Sequence, residues 1–429
     1  MSEIFLIILQ LLFIIFIFNF STYEITKKLE IKNFNIFEIM SVNIILFLNL
    51  LLFLSLLNIT LNYIFIIILS ITILGFILNF KIKFLEFNRD KIYIISLLLL
   101  SFVITIDVAS TIDLGWDAKI FGFFKTLNFY QNNNIANLIN LNVRDYPHLG
   151  SLLWSMYWKF PFDYNEYFGR ISYVLIYLIS IFTFYFDLKI EKITKLIIIF
   201  LTVLLTYEYS LMSGLQEILI FSLILMATKF AFLLFHEKNS MNQTKFIFYI
   251  LLITNVTCWI KNEGLIFMLI FNFSLLFMQI KNELKIQLIT GSSIIFAIRV
   301  LYLYYFKITF ESSQFESTFM FTNLDFFQFL KDLKIIIFYV IVYFIEIPIY
   351  LFFISTIAWI LFYQKEKDNI YKFIIIFGVL NFLFIIFSFL FNVNDVVWQV
   401  RVGLKRVMFE TAGFYLLPIL ILLRKKNSF

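Results

Sequence analysis

Long apolar runs, separated by short polar segments, dominate the pattern of hydrophobic and polar positions along the chain. A membrane-spanning helix needs roughly 17 to 25 predominantly apolar residues. Runs of about that length fall near residues 4–20, 36–57, 59–80, 92–109, 169–187, 193–210, 214–235, 246–260, 265–280, 285–306, 334–363, 371–391 and 407–423. Run 246–260 is short, and run 334–363 is long enough for two helices that meet at Glu346 and Pro348. The pattern predicts an all-α polytopic membrane protein with about thirteen transmembrane helices.

Composition agrees with this interpretation and removes the other broad classes. The 429 residues are 62% hydrophobic and only 14% charged, with a mean hydropathy of +0.93. Soluble proteins have an apolar share nearer half and a charged share nearer a quarter. The single cysteine, Cys258, excludes an intramolecular disulfide and a thiolate metal cluster. The net charge of +6 comes mainly from short loops, so it orients the chain in a bilayer and does not indicate nucleic acid.

Positive charge between the apolar runs predicts the orientation. If the N-terminus lies outside, twenty Lys and Arg residues fall in inner loops and ten in outer ones, as the positive-inside rule requires. Polar residues then concentrate on the outer side, in segments 110–168, 208–217, 261–264, 307–332 and 392–406. We therefore expect the chemistry at the extracytoplasmic face of a plasma membrane, the inner membrane of a bacterium.

The first candidate residues are two aspartates at the start of the long outer loop. Residues 116–130 place Trp116 and other apolar side chains at helical spacing, with Lys125 off that face, which predicts a helix lying in the membrane interface. Asp117 falls in its first turn, where a carboxylate is either a helix-start residue or a general base held at the membrane surface. Asp113 is the alternative catalytic carboxylate.

The same loop contains a second polar group, formed by Asp145, Tyr146 and His148 around Pro147. An amphipathic stretch follows, so Asp145 is either its helix cap or part of a substrate site. The chain has only two histidines, without the short spacing of a zinc motif, so a histidine-based metal site is not expected.

Charged residues at the other outer turns complete the candidate site. Glu217 precedes an uninterrupted apolar run, and Lys261 and Glu263 lie between two runs. Such charges are either solvated helix ends or functional groups at the membrane edge. The last outer segment contains Arg401, Lys405 and Arg406, a basic group that suits a phosphate, unless the count of spans is wrong by one and the segment is cytoplasmic.

In order and placement, these features resemble the GT-C superfamily of polytopic glycosyltransferases, which includes protein mannosyltransferases and the aminoarabinose transferase of lipid A. The resemblance covers roughly residues 92–425 and rests on Gly115 to Asp117 after a span, Asp145 to Pro147, and the outer turn Lys261 to Gly264. It implies a sugar donor on a polyprenyl phosphate or pyrophosphate and catalysis by the loop aspartate. Some members use a divalent metal, which many bind with an acidic pair; here a single Asp stands at that position, so metal dependence stays open.

The resemblance divides the chain into three additional N-terminal helices, residues 1–91, and a catalytic core, residues 92–429, with its outer loop at 110–168. The leading hypothesis is inverting transfer of a sugar from a polyprenyl-phosphate donor to a lipid or glycan acceptor of the cell envelope. A flippase for lipid-linked oligosaccharide is the alternative, for which Lys229, Arg299 and Glu346 are the candidate intramembrane charges. A glycan polymerase or ligase shares the donor and differs in its product.

Overall fold

The computed structural model describes residues 3–29, 31, 34–111, 113–141, 145–159, 165–209, 211–306, 326–351, 353–354, 357, 369–390 and 395–425. Every regular element in these ranges is a helix. The first nine α-helices are α1 Glu3–Phe20, α2 Tyr23–Leu29, α3 Ile36–Leu56, α4 Leu61–Arg89, α5 Lys91–Ser110, α6 Phe124–Tyr130, α7 Leu149–Trp158, α8 Tyr167–Tyr185 and α9 Lys192–Thr206. The others are α10 Glu217–His236, α11 Ser240–Cys258, α12 Asn262–Leu276, α13 Asn282–Tyr305, α14 Phe326–Glu346, α15 Asn369–Leu390, α16 Val396–Gln399, α17 Lys405–Ala412 and α18 Leu417–Lys425. Two π-helical segments, Ala118–Phe123 and Val400–Leu404, and three 3₁₀ segments, Ile135–Asn140, Tyr207–Tyr209 and Gly413–Leu416, adjoin them.

Each of the thirteen predicted apolar runs overlaps a helix. Within the described ranges, nine helical stretches are long and apolar enough to cross a membrane: α1, α3, α5, α8, α10, α13, α15, the Leu61–Asn79 part of α4, and the continuous stretch Val396–Leu423. The remaining runs correspond to α9, α11, α12 and α14, which are shorter or more polar. The described part of the chain is therefore all-helical with nine candidate membrane spans, against about thirteen predicted, which indicates a membrane protein.

The long run 334–363 is divided where its sequence suggested. Helix α14 ends at Glu346, and a new helical turn begins at Pro348 after a bend at Ile347. Proline fits the first turn of a helix because its missing N–H would be unpaired there in any case. The outer loop 307–332 lies outside the described residues up to residue 325.

The long outer loop folds back against the bundle. The stretch after Pro147 forms α7, and all ten of its residues are buried, so it is an internal helix and not the amphipathic helix that the sequence suggested. Trp116 and Phe124 are exposed on the preceding helical segment, whereas Lys125 on that segment is fully buried. The periodicity had placed Lys125 off the apolar face, and its burial results from tertiary contacts.

Helices α8 and α10 form the centre of the bundle, with α3, α5, α7 and α11 packed around them. The first three long helices share this core: Gln10 of α1 donates to the backbone oxygen of Tyr157 at 2.6 Å, and Asn49 of α3 donates to that of Leu252 at 3.1 Å. Helices α1 and α3 are thus packed directly on helices of the region 92–429.

Polar clusters lie at the start of α10 and about two-thirds of the way along it. Glu217 begins the helix, and Lys229 lies twelve residues further on, about 18 Å along the axis. The Lys229 ammonium contacts Asp187 at 2.9 Å and Glu38 at 3.7 Å, where α8 has just ended and α3 has just begun. The candidate functional residues gather at the Glu217 end.

Candidate functional site

Helix starts from distant parts of the chain meet at the Glu217 end of the bundle. Asp117 precedes the first π-helical segment, Glu217 is the first residue of α10, and Lys261 directly precedes α12. Helix α17 contributes Arg406. A backbone hydrogen bond of 2.9 Å from Gly115 to the oxygen of Ser213 joins the loop before Asp117 to the turn before Glu217.

The centre of this arrangement is an arginine shared by two carboxylates. A terminal nitrogen of Arg406 donates to Asp117 Oδ2 at 2.6 Å, and its Nε donates to Glu217 Oε1 at 2.8 Å. The second terminal nitrogen also donates to Glu217. About a quarter of the side chain is exposed for both Arg406 and Asp117, whereas Glu217 is buried, so the Asp117 side of the pair faces outwards.

Lys261 extends the network inwards. Its ammonium lies 2.6 Å from Glu410 Oε1, 3.3 Å from Glu217 Oε1 and 3.9 Å from Glu263 Oε1. Burial alone would lower the pKa of Lys261, but the three carboxyl groups outweigh it and hold the pKa well above its ordinary value. Lys261 is therefore charged at neutral pH.

Glu410 belongs to this network although the sequence analysis did not single it out. Its side chain is fully buried, and its Oε2 has no hydrogen-bond partner among the described residues. Two signals could have identified it: it lies in an apolar run, where a carboxyl group is costly, and it follows Arg406 by four residues, on the same helical face.

Part of this network lines a pocket with about 360 Å³ of empty space, including its open mouth. Asp117, Glu217, Lys261 and Arg406 form its charged wall. The lining also includes Phe121 and Tyr146, whose rings stack with centroids 4.3 Å apart, together with Gly122, Pro147 and Gln216. A charged group and an apolar ring system thus face the same space.

The two candidate catalytic aspartates have different environments. Asp113 pairs with Lys119 at 2.7 Å on the surface, with nine-tenths of its side chain exposed. Asp117 lines the pocket beside Arg406. Of the two, only Asp117 belongs to the described charged network.

The Asp145 to His148 group separates into three roles. Tyr146 lines the pocket. Asp145 accepts a hydrogen bond from Arg299 at 3.2 Å through its backbone oxygen, and α7 is preceded by His148, so Asp145 is not its cap. His148 is fully buried, bonded to Ser55 at 2.9 Å, and is not among the residues that line the pocket. Burial and the nearby cations Arg299 and Lys125 lower the pKa of His148 to about 3, so it is a neutral core residue. The adjacent Arg144 lies outside the described residues.

The basic group near the C-terminus is divided between two faces. Arg406 enters the pocket, whereas Arg401 donates to the Tyr339 hydroxyl at 2.9 Å and Lys405 contacts Glu346 at 2.8 Å, both on α14. Lys405 and Arg406 are consecutive, and consecutive residues of a helix point about 100° apart. In this structure the three cations therefore do not converge on one point.

Both sides of the Asp117–Arg406 pair adjoin a π-helical segment. Ala118–Phe123 follows Asp117, and Val400–Leu404 ends just before Lys405 and Arg406. Such segments are rare and frequently accompany functional sites. Their presence on both sides supports a functional role for this pocket.

The donor set does not fit a divalent metal. In the part of the chain that the structure describes, no three His, Cys, Asp or Glu side chains converge as metal ligands would. The two pocket carboxylates, Asp117 and Glu217, are both bonded to Arg406, which a metal ion would have to displace.

Comparisons with protein-family models, with curated proteins and with solved structures give no match. The functional interpretation of the pocket therefore depends on its own geometry.

Proposed function

We propose that this protein is a membrane glycosyltransferase of the GT-C kind, transferring a sugar from a polyprenyl-phosphate donor to a hydroxyl of a lipid or glycan acceptor at the extracytoplasmic face. The supporting observation is that a carboxylate, Asp117, and a cation, Arg406, share one small pocket at the end of an apolar bundle. Transfer from a lipid phosphate needs both groups, at the level where head groups lie.

Asp117 is the proposed base. The acceptor hydroxyl attacks C1 of the sugar as the bond between C1 and the phosphate oxygen breaks, and the configuration at C1 is inverted. The hydroxyl proton passes to the Asp117 carboxylate, and the electron pair of the broken bond leaves on the polyprenyl phosphate. A positioned base of this kind contributes on the order of a hundredfold to ten-thousandfold.

Arg406 is the proposed ligand of the donor phosphate, with the Lys261 charge behind it. Four carboxyl groups face these two cations, so a phosphate must displace a carboxylate from Arg406 before it can bind. Asp117 is the more exposed of the two carboxylates bonded to Arg406. Donor binding then releases Asp117, so that the base becomes free only when a donor is present. Arg401 and Lys405, on the α14 side, would contact the head group outside the pocket.

The positions of the other buried charges favour an enzyme over the flippase alternative. Lys229 is neutralised at the far end of the bundle, and Glu346 pairs on the surface with Lys405. Arg299 lies over the rings of Trp259 and Tyr302. A polymerase or ligase would use the same pocket, and only the acceptor distinguishes it.

The first prediction concerns the two aspartates. Asp117→Asn keeps the shape of the side chain but cannot take a proton, so transfer should fall by at least about a hundredfold. Asp113→Asn, the matched control, should keep most of its activity because its partner is on the surface. The measurement is release of free polyprenyl phosphate by the purified protein in nanodiscs, with polyprenyl-phosphate glucose, mannose and N-acetylglucosamine as donors. The hypothesis fails if wild-type protein cleaves no donor, or if Asp117→Asn transfers as fast as wild type.

A further inference from the structure

Two buried cations donate hydrogen bonds to consecutive backbone carbonyls beside the pocket. Lys125 of α6 donates to the backbone oxygen of Tyr146 at 2.7 Å, and Arg299 of α13 donates to that of Asp145 at 3.2 Å. The two lysine and arginine side chains are almost completely buried. The next residues are fixed as well, since the Leu149 amide donates to the Trp259 oxygen at 2.9 Å.

Neither cation has a carboxylate within ion-pair distance among the described residues, and Arg299 Nη1 has no hydrogen-bond partner. Burying a charge without such a partner costs several kcal/mol. Arg299 also donates to Asn262 Oδ1 at 3.3 Å and lies over the Trp259 and Tyr302 rings, and Lys125 lies over the Tyr146 ring. These neutral partners compensate a buried charge less well than a carboxylate does, yet each cation holds one of two neighbouring peptide groups.

The segment held by these hydrogen bonds, Asp145 and Tyr146, places an aromatic ring in the lining of the pocket. The Tyr146 ring stacks on Phe121, and both line the space that Asp117 and Arg406 share. We propose that Lys125 and Arg299 are positioning residues that hold Tyr146 against Phe121, so that the paired rings form the wall on which the transferred sugar lies. The assignment of that wall to a sugar depends on the proposed function; the positioning itself does not.

The strength of the hydrogen bond from Lys125 to the Tyr146 backbone oxygen also depends on pH. Burial lowers the pKa of Lys125 to about 7; Asp145 opposes this and Arg299 adds to it. The other group on this side, His148, stays neutral. Below pH 7 the ammonium makes the stronger, charge-assisted bond to the Tyr146 oxygen, and above it the neutral amine makes a weaker one. The hydrogen bond from Lys125 to the Tyr146 oxygen is therefore strongest below pH 7.

The loop provides a matched control. Lys159 donates to the backbone oxygen of Tyr130 at 3.4 Å and lies 5.7 Å over its ring, the same ring distance as between Lys125 and Tyr146. Tyr130 does not line the pocket. Lys159→Met thus removes a similar contact elsewhere in the same loop.

The test compares Lys125→Met with Lys159→Met in nanodiscs without substrate. Hydrogen exchange at the Leu149 amide should accelerate about tenfold in Lys125→Met, because losing a buried hydrogen bond costs roughly that factor, and should be unchanged in Lys159→Met. Equal exchange in wild type and Lys125→Met, or equal acceleration in both variants, would overturn the proposal. This readout is independent of catalysis.

A second arm uses donor kinetics and a variant that stays charged. With the polyprenyl-phosphate sugar that the wild type cleaves, donor KM should rise between pH 6 and 8.5 in wild type and stay flat in Lys125→Arg. In Lys125→Met, KM should be flat and about tenfold higher. If Lys125→Met does not fold, an unchanged pH profile in Lys125→Arg still overturns the proposal. If no donor is cleaved, the proposed function fails, and the exchange experiment alone tests whether Lys125 positions the Tyr146 segment.

Discussion

A single carboxylate, Glu217, holds the charged wall of the pocket together. It is buried, and its Oε1 accepts hydrogen bonds from both Arg406 and Lys261, on helices that are far apart in sequence. Removing one member of a buried ionic network leaves its partners charged and without water. The cost of such a change therefore exceeds what the lost bonds contribute.

The second prediction follows for Glu217→Gln. The amide keeps the shape but leaves Arg406 and Lys261 less compensated, so the protein should lose about 3 to 5 kcal/mol of stability. Glu346→Gln, the control, breaks a half-exposed pair with Lys405 and should cost under about 1 kcal/mol. Unfolding of the detergent-solubilised variants by heat and denaturant measures both. Similar stability losses in the two variants would mean that the pocket network is not the buried structural element described here.

At the scale of helices, close approach depends on a few glycines. Gly169 lies in the first turn of α8, where a Cβ would come within 2.2 Å of the Trp154 backbone oxygen of α7. Helix α7 in turn has Gly150 and Ser151 beside Gln216, which lines the pocket. The contact between α7 and α8 thus determines where one wall of the pocket stands.

The third prediction compares two glycines in helices. Gly169→Ala should destabilise by about 1 to 3 kcal/mol, since the methyl group has to push two packed backbones apart. Gly378→Ala places its methyl group 4.0 Å from Tyr415 Cε1, an ordinary contact, and should stabilise by about 0.5 to 1 kcal/mol because alanine favours the helix. Unfolding midpoints in detergent decide the matter, and shifts of the same sign would contradict the packing argument.

Helix formation was predictable from the sequence because an apolar run in lipid must satisfy its own backbone hydrogen bonds. Glu217, Lys261 and Arg406 were identifiable as charges at or near the ends of such runs, and Asp117 as a carboxylate in the first turn of the loop helix. Their joining into one network was not predictable, since it depends on which helices pack together. Lys125 shows the limit most clearly: periodicity places it towards solvent, and the carbonyl that it binds is 21 residues away.

Arg401, Lys405 and Arg406, grouped by their closeness in the sequence, point in two directions in the structure, as helix geometry leads one to expect. Arg401 and Lys405 are four residues apart and do share a face, towards α14. Arg406 is the next residue and faces the pocket. Density of charge along the sequence does not establish that the charges share a ligand.

At the scale of the whole molecule, the pocket lies at one end of the bundle. The pocket charges lie where α10 and α12 begin, and the turn after α10 lies at the other end. A helix of twenty residues spans about 30 Å, the thickness of the hydrocarbon core. The two ends should therefore face opposite sides of the membrane.

The fourth prediction is this sidedness. In a Cys258→Ser background, single cysteines at Asn133 and Asp395 should react with an impermeant thiol reagent in intact cells, because both belong to the pocket end. A cysteine at Lys238, exposed just after α10, should react only after permeabilisation. Labelling of all three in intact cells, or of only one of the first two, would show that the assigned orientation is wrong.

The direction in which Arg406 points depends on the number of residues in the π-helical segment Val400–Leu404. A π turn accommodates one residue more than an α turn, so a chain shorter by one residue here could continue as a regular α-helix. If α17 keeps its position, every residue of the helical stretch before the deletion rotates by about 100° about the helix axis. If the preceding helix keeps its position instead, Arg406 rotates by the same angle. The presence or absence of one residue in this segment is thus enough to decide whether Arg406 faces Asp117.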